Sequence, residues 1–317
     1  MTYLFLILGL ITLILGGDLL VRGATTIALR AKISPLVIGM TVVSFGTSAP
    51  ELLVSLKSVL NDHPDVAIGA VVGSNISNIG LVLGITILLF PLIVNRDSLI
   101  IDWPMMLISA ILYYFFANNG IISQLEGVIF VILLVIFISW IIYRSRKKGK
   151  KLALEKEIEE VAEVKKNFIF KDISFIVLGI LGLYFGAEWL INSVVSIAKD
   201  FEISEKLVSI TVVAFGTSVP ELTTSVVAAF KKETDISIGN LIGSNIFNIL
   251  AILGITGIIH PIAISDSINE FDNYFLLGIT VILFPLMYFG KKMTYRSALI
   301  LLSIYVIYIY FSIIAEI

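Results

Sequence analysis

The chain has 317 residues, of which 58% are hydrophobic and 15% charged, and its mean hydropathy is +1.02. No soluble globule buries that much apolar surface, and a net charge of −2 makes no basic field, so a water-soluble enzyme, a disordered protein and a nucleic-acid binder are excluded. With no cysteine there are no disulfides, thiolate metal sites or iron–sulfur clusters, and His63 and His260 lie by loop signals rather than in a zinc-binding pattern.

Crossing a bilayer core of about 30 Å takes roughly 20 apolar residues. Ten runs qualify, at about 3–29, 35–60, 66–91, 102–118, 124–143, 172–198, 205–230, 236–260, 273–290 and 296–315. The first is long and lacks both a basic leader and a small-residue cleavage pattern, so it reads as a true span rather than a signal peptide. It carries Asp18, with Arg22 one turn later as an i,i+4 partner. The second opens on Ser34-Pro35, cap and first helical residue, and contains Gly46-Thr47-Ser48-Ala49-Pro50-Glu51. The third holds Gly73-Ser74-Asn75-Ile76-Ser77-Asn78. The fourth is the shortest, with Asp102 read as its N-cap. A charged stretch at 144–171 follows the fifth span, with ten Lys and Arg residues and Glu155, Glu157, Glu159, Glu160 and Glu163. It reads as a solvated linker, helical in part, without calcium-loop spacing. The sixth span carries Glu188, with Asn192 where the first has Arg22. The seventh contains Gly216-Thr217-Ser218-Val219-Pro220-Glu221 and the eighth Gly243-Ser244-Asn245-Ile246-Phe247-Asn248. Asp272 precedes the ninth span as a second expected N-cap.

The basic residues orient these spans. Placing the 144–171 linker in the cytoplasm, as the positive-inside rule requires, puts 18 of the 22 Lys and Arg residues in cytoplasmic loops and the N-terminus outside. A multi-pass plasma-membrane protein is expected.

The chain is also one unit written twice. Residues 41–51, TVVSFGTSAPE, and 211–221, TVVAFGTSVPE, agree at nine of eleven positions, and the same offset of 170 aligns Gly73-Ser74-Asn75-Ile76 with Gly243-Ser244-Asn245-Ile246. Five spans per repeat is an odd number, so the second copy must insert upside down. Residues 1–143 and 172–317 are then inverted five-helix repeats joined by 144–171, the plan of many secondary transporters, with the site where the repeats meet.

Four acidic residues lie inside apolar spans: Asp18, Glu51, Glu188 and Glu221. Each costs about 2.5–3.5 kcal/mol to insert, so each needs a partner or an ion. Pro50 and Pro220 lack an N–H, which frees the carbonyls of Gly46 and Gly216 and breaks helices 2 and 7 beside Glu51 and Glu221. Thr47, Ser48, Thr217 and Ser218 add hydroxyls, and irregular backbone at this depth is tolerated where it lines a cavity. Ser74 and Asn78 share a helix face at i,i+4, as do Ser244 and Asn248, and both pairs can aim oxygen at the glutamates. The other reading of these polar residues is interhelical glue; Asn75 and Asn245 fall off that face. The set is all hard oxygen, which suits Ca²⁺ rather than a transition metal, and two carboxylates neutralise one divalent cation. Without it they repel, so Na⁺ or protons must take its place, which is a physical basis for exchange.

The paired GTSxPE and GSNxxN motifs resemble the calcium/cation antiporter superfamily, and within it the microbial sodium/calcium exchangers. The resemblance covers all ten spans. It implies an all-α membrane antiporter of ten helices that expels Ca²⁺ against inward Na⁺, with the first and sixth helices sliding. It implies that Glu51 and Glu221 bridge Ca²⁺, with carbonyls or hydroxyls of Ser44, Thr47, Ser48, Ala214, Thr217, Ser218, Ser74 and Ser244, and with Asn78. Such exchangers often carry Asp at the position of Asn248, so here the site has one charge fewer and coupling to Na⁺ or to H⁺ stays open. Ser44 stands in place of a more usual Ala. An intramembrane hydrolase using Ser48 or Ser218 would lack a basic partner, and a channel would not need buried carboxylates in inverted pairs. The expectation is therefore a transporter, not an enzyme, with Ca²⁺ and Na⁺ as substrates, the lipid bilayer as its surroundings, and no cofactor or protein partner.

Overall fold

A segment in hydrocarbon must satisfy its own backbone, and the apolar runs do so as helices. The computed structural model describes residues 2–155, 169–200, 216, 218–265, 268–289 and 292–315. In chain order the helices are α1 (Thr2–Ala31), α2 (Pro35–Thr47), α3 (Ala49–Leu60), α4 (Pro64–Leu89), α5 (Ser98–Ala117), α6 (Gln124–Glu155), α7 (Ile169–Asp200), α8 (Val219–Phe230), α9 (Thr234–Ile259), α10 (Asn273–Tyr288) and α11 (Tyr295–Ala315). Among the described residues seven are long and apolar enough to cross a bilayer, and α2 with α3, bent by 45° at Ser48, makes an eighth span. The shorter apolar helices α8 and α10 fall within the seventh and ninth expected runs.

Burial separates the layers. The apolar windows of α4 and α9 are 72% and 83% buried, whereas that of α11 is 11% buried and presents its side chains outward. Beside the central pair, α1 and α7 lie against each other along most of their length. Glycines permit this: a Cβ on Gly16 would stand 2.7 Å from Leu183 N, and one on Gly179 2.6 Å from Leu20 N. Helices α2 and α9 approach as closely, with Gly39 against Ile236 O and Gly239 against Leu36 O.

Several expected boundaries shift. Helix α6 runs to Glu155 rather than stopping near 143, and α5 starts at Ser98 rather than 102. Asp102 and Asp272 are not caps: each closes a π-helical turn (Ser98–Asp102 and Ile268–Asp272) that runs straight into the next helix, leaving no orphan N–H to accept. Asp272 instead accepts a hydrogen bond from the Tyr308 hydroxyl at 3.0 Å. Ser34 does cap α2, its Oγ accepting from Val37 N. Two antiparallel ribbons were not expected. Strand β1 (Leu92–Ile93) pairs with β4 (Lys292–Met293), and β2 (Ile121–Ile122) pairs with β3 (Ile262–Ala263), so each ribbon joins the two repeats.

Candidate ion-binding site

The two prolines break the chain in the same way. Ser48 has φ −90° and ψ 5°, Ser218 has φ −89° and ψ 0°, and a new helix starts after each. The first N–H of α3 that closes a turn is that of Leu52, onto Ser48 O at 3.3 Å, and its counterpart in α8 is Leu222 onto Ser218 O at 2.9 Å. Pro50 and Glu51, and Pro220 and Glu221, therefore occupy the first turns of α3 and α8, where two acidic side chains meet two helix N-termini.

Every candidate side chain that is described is buried at the protein's centre. Ser44, Thr47, Glu51, Asn78, Ser218, Glu221, Ser244 and Asn248 are 0% exposed, Ser74 2% and Ser48 3%. Ala214 and Thr217 lie outside the described residues. The contacts cross between repeats. Ser48 Oγ donates to Glu221 Oε1 at 3.1 Å, Thr47 Oγ1 meets Ser244 Oγ at 3.4 Å, and Asn248 Nδ2 donates to Ser74 Oγ at 3.2 Å. Ser44 acts differently: its Oγ donates to Gly39 O at 2.8 Å and to Asn240 O at 3.0 Å, pinning α2 to α9. Asn75 joins the central helices, its Nδ2 donating to Asn245 O at 3.4 Å, whereas Asn245 Nδ2 donates within α9 to Leu241 O at 2.8 Å.

Among the described residues, the cluster's unpartnered acceptors outnumber its unpartnered donors. Both oxygens of Glu51, Oε2 of Glu221 and Oδ1 of Asn78 and Asn248 are buried with no hydrogen-bond partner there, against Asn78 Nδ2 and the Ser218 hydroxyl. Buried acceptors left so cost roughly 1–3 kcal/mol each, more when charged. A surplus of hard oxygen acceptors around two carboxylates is complemented by a cation without its water shell. Among the described residues no group of three or more His, Asp or Glu side chains is placed to hold a metal, so a bound cation would draw on hydroxyls, amides and carbonyls as well. Asn78 and Asn248 also each begin a π-helical turn, Asn78–Val82 and Asn248–Leu253, a register shift that often accompanies functional sites. Sequence reading missed these turns, because a one-residue change of register leaves no trace in composition.

The acidic residues of α1 and α7 lie apart from this cluster. Asp18 pairs with Arg22 at 2.7 Å, as the spacing implied, and with Lys231 beyond α8. Glu188 is exposed and makes no ion pair among the described residues. Asp172, which the sequence reading passed over, is buried and forms an ion pair with Arg30 at 2.6 Å, tying α7 to α1. On the side of Arg30 and Lys32 a cavity of about 580 Å³, lined by Lys32, Asn95, Asp102, Arg144 and Asp235 among others, reaches inward to Leu36 and Val37. Between it and the acceptor cluster stands the glycine-packed seam of α2 and α9.

The profile of the family described as "sodium/calcium exchanger protein" matches residues 1–143 and 171–314, which leaves out the linker. The chain is 31% identical over 345 residues to the sodium/calcium exchanger MaX1 of Methanosarcina acetivorans, covering 97% of each chain. It is 34% identical over 288 residues to the inner membrane protein YrbG of Escherichia coli, covering 89% of this chain and 87% of that one. The structure of the sodium-calcium exchanger NCX_Mj soaked with 2.5 mM Na⁺ and 0.1 mM Ca²⁺ superposes with a TM-score of 0.81 at 29% identity, covering 96% of each chain.

Proposed function

The chain belongs to the sodium/calcium exchanger family, and on that premise we propose that it is a secondary antiporter exchanging Ca²⁺ for Na⁺ by alternating access. One observation carries this reading: Glu51 and Glu221, from two copies of one motif, are buried in a shared cluster whose oxygens outnumber its donors. Ca²⁺ accepts six to eight such oxygens. With Ca²⁺ gone the carboxylates repel each other at low dielectric, and Na⁺ ions relieve this, so the site is obliged to exchange. Glu51, Glu221, Ser48, Ser218, Thr47, Thr217, Ser74, Ser244, Asn78 and Asn248 are its proposed ligands. Main-chain oxygens are the proposed contribution of Ser44 and Ala214, because the Ser44 hydroxyl is spent on backbone carbonyls.

The architecture proposed is ten crossings, with residues 172–317 inverted relative to 1–143. The loop contacts support it. Loops after the first, third, fifth, seventh and ninth expected spans meet one another: Ser34 N–H donates to Ser145 Oγ at 2.8 Å, Asp97 binds Arg144 at 3.2 Å and Lys148 at 2.8 Å, Asn95 Nδ2 donates to Asp235 at 2.7 Å, and β1 pairs with β4. The loops after the fourth and eighth meet through β2 and β3. Loops of like parity share a face only if every span crosses. The basic face is then cytoplasmic, the N-terminus external, and the plasma membrane the site of action.

The test is ⁴⁵Ca²⁺ uptake into proteoliposomes loaded with Na⁺ and diluted into Na⁺-free buffer with a proton ionophore present. Uptake that needs internal Na⁺ and survives the ionophore is the expected result. Uptake that ignores Na⁺ but follows an imposed pH gradient would replace Na⁺ by H⁺ as the coupling ion.

A further inference from the structure

The repeats are not equal around the cluster. At the offset of 170, Ala70 of α4 corresponds to Asn240 of α9, so one half has a methyl group where the other has an amide. Asn240 is 0% exposed and lies one turn before Ser244. Its Nδ2 donates to Ser225 Oγ at 3.1 Å and to the main-chain oxygen of Glu221 at 3.5 Å. Its Oδ1 accepts from Thr47 Oγ1 at 3.2 Å. The carbonyl of Glu221 can only accept, so it fixes which way round the amide sits and turns Oδ1 onto Thr47. Thr47 has one hydroxyl proton. Given to Asn240, that proton leaves the oxygen's lone pairs facing Ser244 and the cluster; among the described residues, other acceptors in reach are Ser44 O at 3.3 Å and Ser244 Oγ at 3.4 Å.

We propose that Asn240 is a positioning residue of the ion site: its amide, braced on the turn of α8 that carries Glu221, orients the Thr47 hydroxyl of α2. A ligand of the first repeat is thus set by a side chain that only the second repeat has. A second strap keeps the amide in place, since Ser237 Oγ donates to Ser225 O at 3.0 Å and ties α9 to α8 independently of Asn240. This inference rests on reading the cluster as the transport site.

The experiment is a double-mutant cycle on the full chain in proteoliposomes, measuring initial ⁴⁵Ca²⁺ uptake against Ca²⁺ concentration for the unaltered protein, Thr47→Val, Asn240→Ala and the double variant. Each single change is expected to raise KM about tenfold, the range for residues that orient a metal ligand, with kcat moved far less. The double variant is expected within about twofold of Thr47→Val alone, because Asn240 acts through Thr47. Ser225→Ala, which removes only the hydroxyl receiving the amide's other end, is the milder variant for the case where Asn240→Ala does not reconstitute. It too must raise KM without adding to Thr47→Val. An unmoved KM, or single effects that multiply in the double variant, overturns the role of Asn240. No saturable uptake by the unaltered protein overturns the transport reading and this one with it.

Discussion

Glu51 and Glu221 face the same cluster but are not equivalently held. Glu221 accepts from Ser48, whereas neither oxygen of Glu51 has a hydrogen-bond partner among the described residues. Ion binding should therefore depend on Glu51 at least as steeply as on Glu221. Replacing either by Gln removes one of two negative charges and introduces an N–H pointing at a cation. Loss of one partner of a buried charge interaction costs about 3–5 kcal/mol, so Ca²⁺ uptake should fall by about 100-fold or more in each variant. Uptake kept in both would remove them from the site. The glutamates were legible in the sequence because a carboxylate beside proline in an apolar run is costly unless used. Asn240 was not singled out, since a lone amide in a helix that already carries a Gly-Ser-Asn motif reads as more of the same. Its importance lies in the partners that folding brings from α2 and α8, far away in sequence.

At the scale of elements, close helix contact is the organising feature. A Cβ at Gly179 would approach Leu20 N within 2.6 Å, a backbone atom that cannot swing aside. Gly179→Ala should then push α1 from α7 and destabilise the protein by about 1–3 kcal/mol, although alanine is the better helix former. Gly278 in α10 is the control: a Cβ there meets nothing within 4 Å, so Gly278→Ala should be neutral or stabilise by up to about 1 kcal/mol. Thermal unfolding of both variants in detergent checks the pair, and equal shifts would show that helix contact is not what Gly179 serves. Helix positions were legible from hydropathy, but their ends were not. Residues 144–155, RSRKKGKKLALE, are charged enough to end a membrane span, yet mostly good helix formers, so α6 continues through them. Strands of two residues are too short to show a period, which hid both ribbons.

At the scale of the whole molecule, the doubled sequence and its alternating basic loops were readable, because both are regularities of the chain itself. How one half is fastened to the other was not, because it depends on pairs the repeat does not conserve. Asp18 on α1 binds Lys231 beyond α8, and the Arg30–Asp172 pair holds α1 to α7. The first of these links the α1–α7 pair to the rest of the protein. At the repeat offset its counterpart would be Glu188 with Asn61, which cannot form an ion pair. If the halves exchange conformations, the ion pair exists in one state and has no equivalent in the other, so it favours the arrangement with the α2–α9 seam closed. Lys231→Gln should shift the balance toward opening that seam. The chain has no cysteine, so a single Met40→Cys reports cleanly; Met40 lies in the seam against Gly243 and is 2% exposed. A membrane-impermeant maleimide applied from the face bearing the central linker should label Met40→Cys several-fold faster, roughly two- to tenfold, when Lys231 is Gln, matching an exposed ion pair's ~0.2–1 kcal/mol with some gain from partial burial. Equal labelling rates would mean that Asp18 and Lys231 merely neighbour each other, and that the seam is held shut by the glycine packing of α2 and α9 alone.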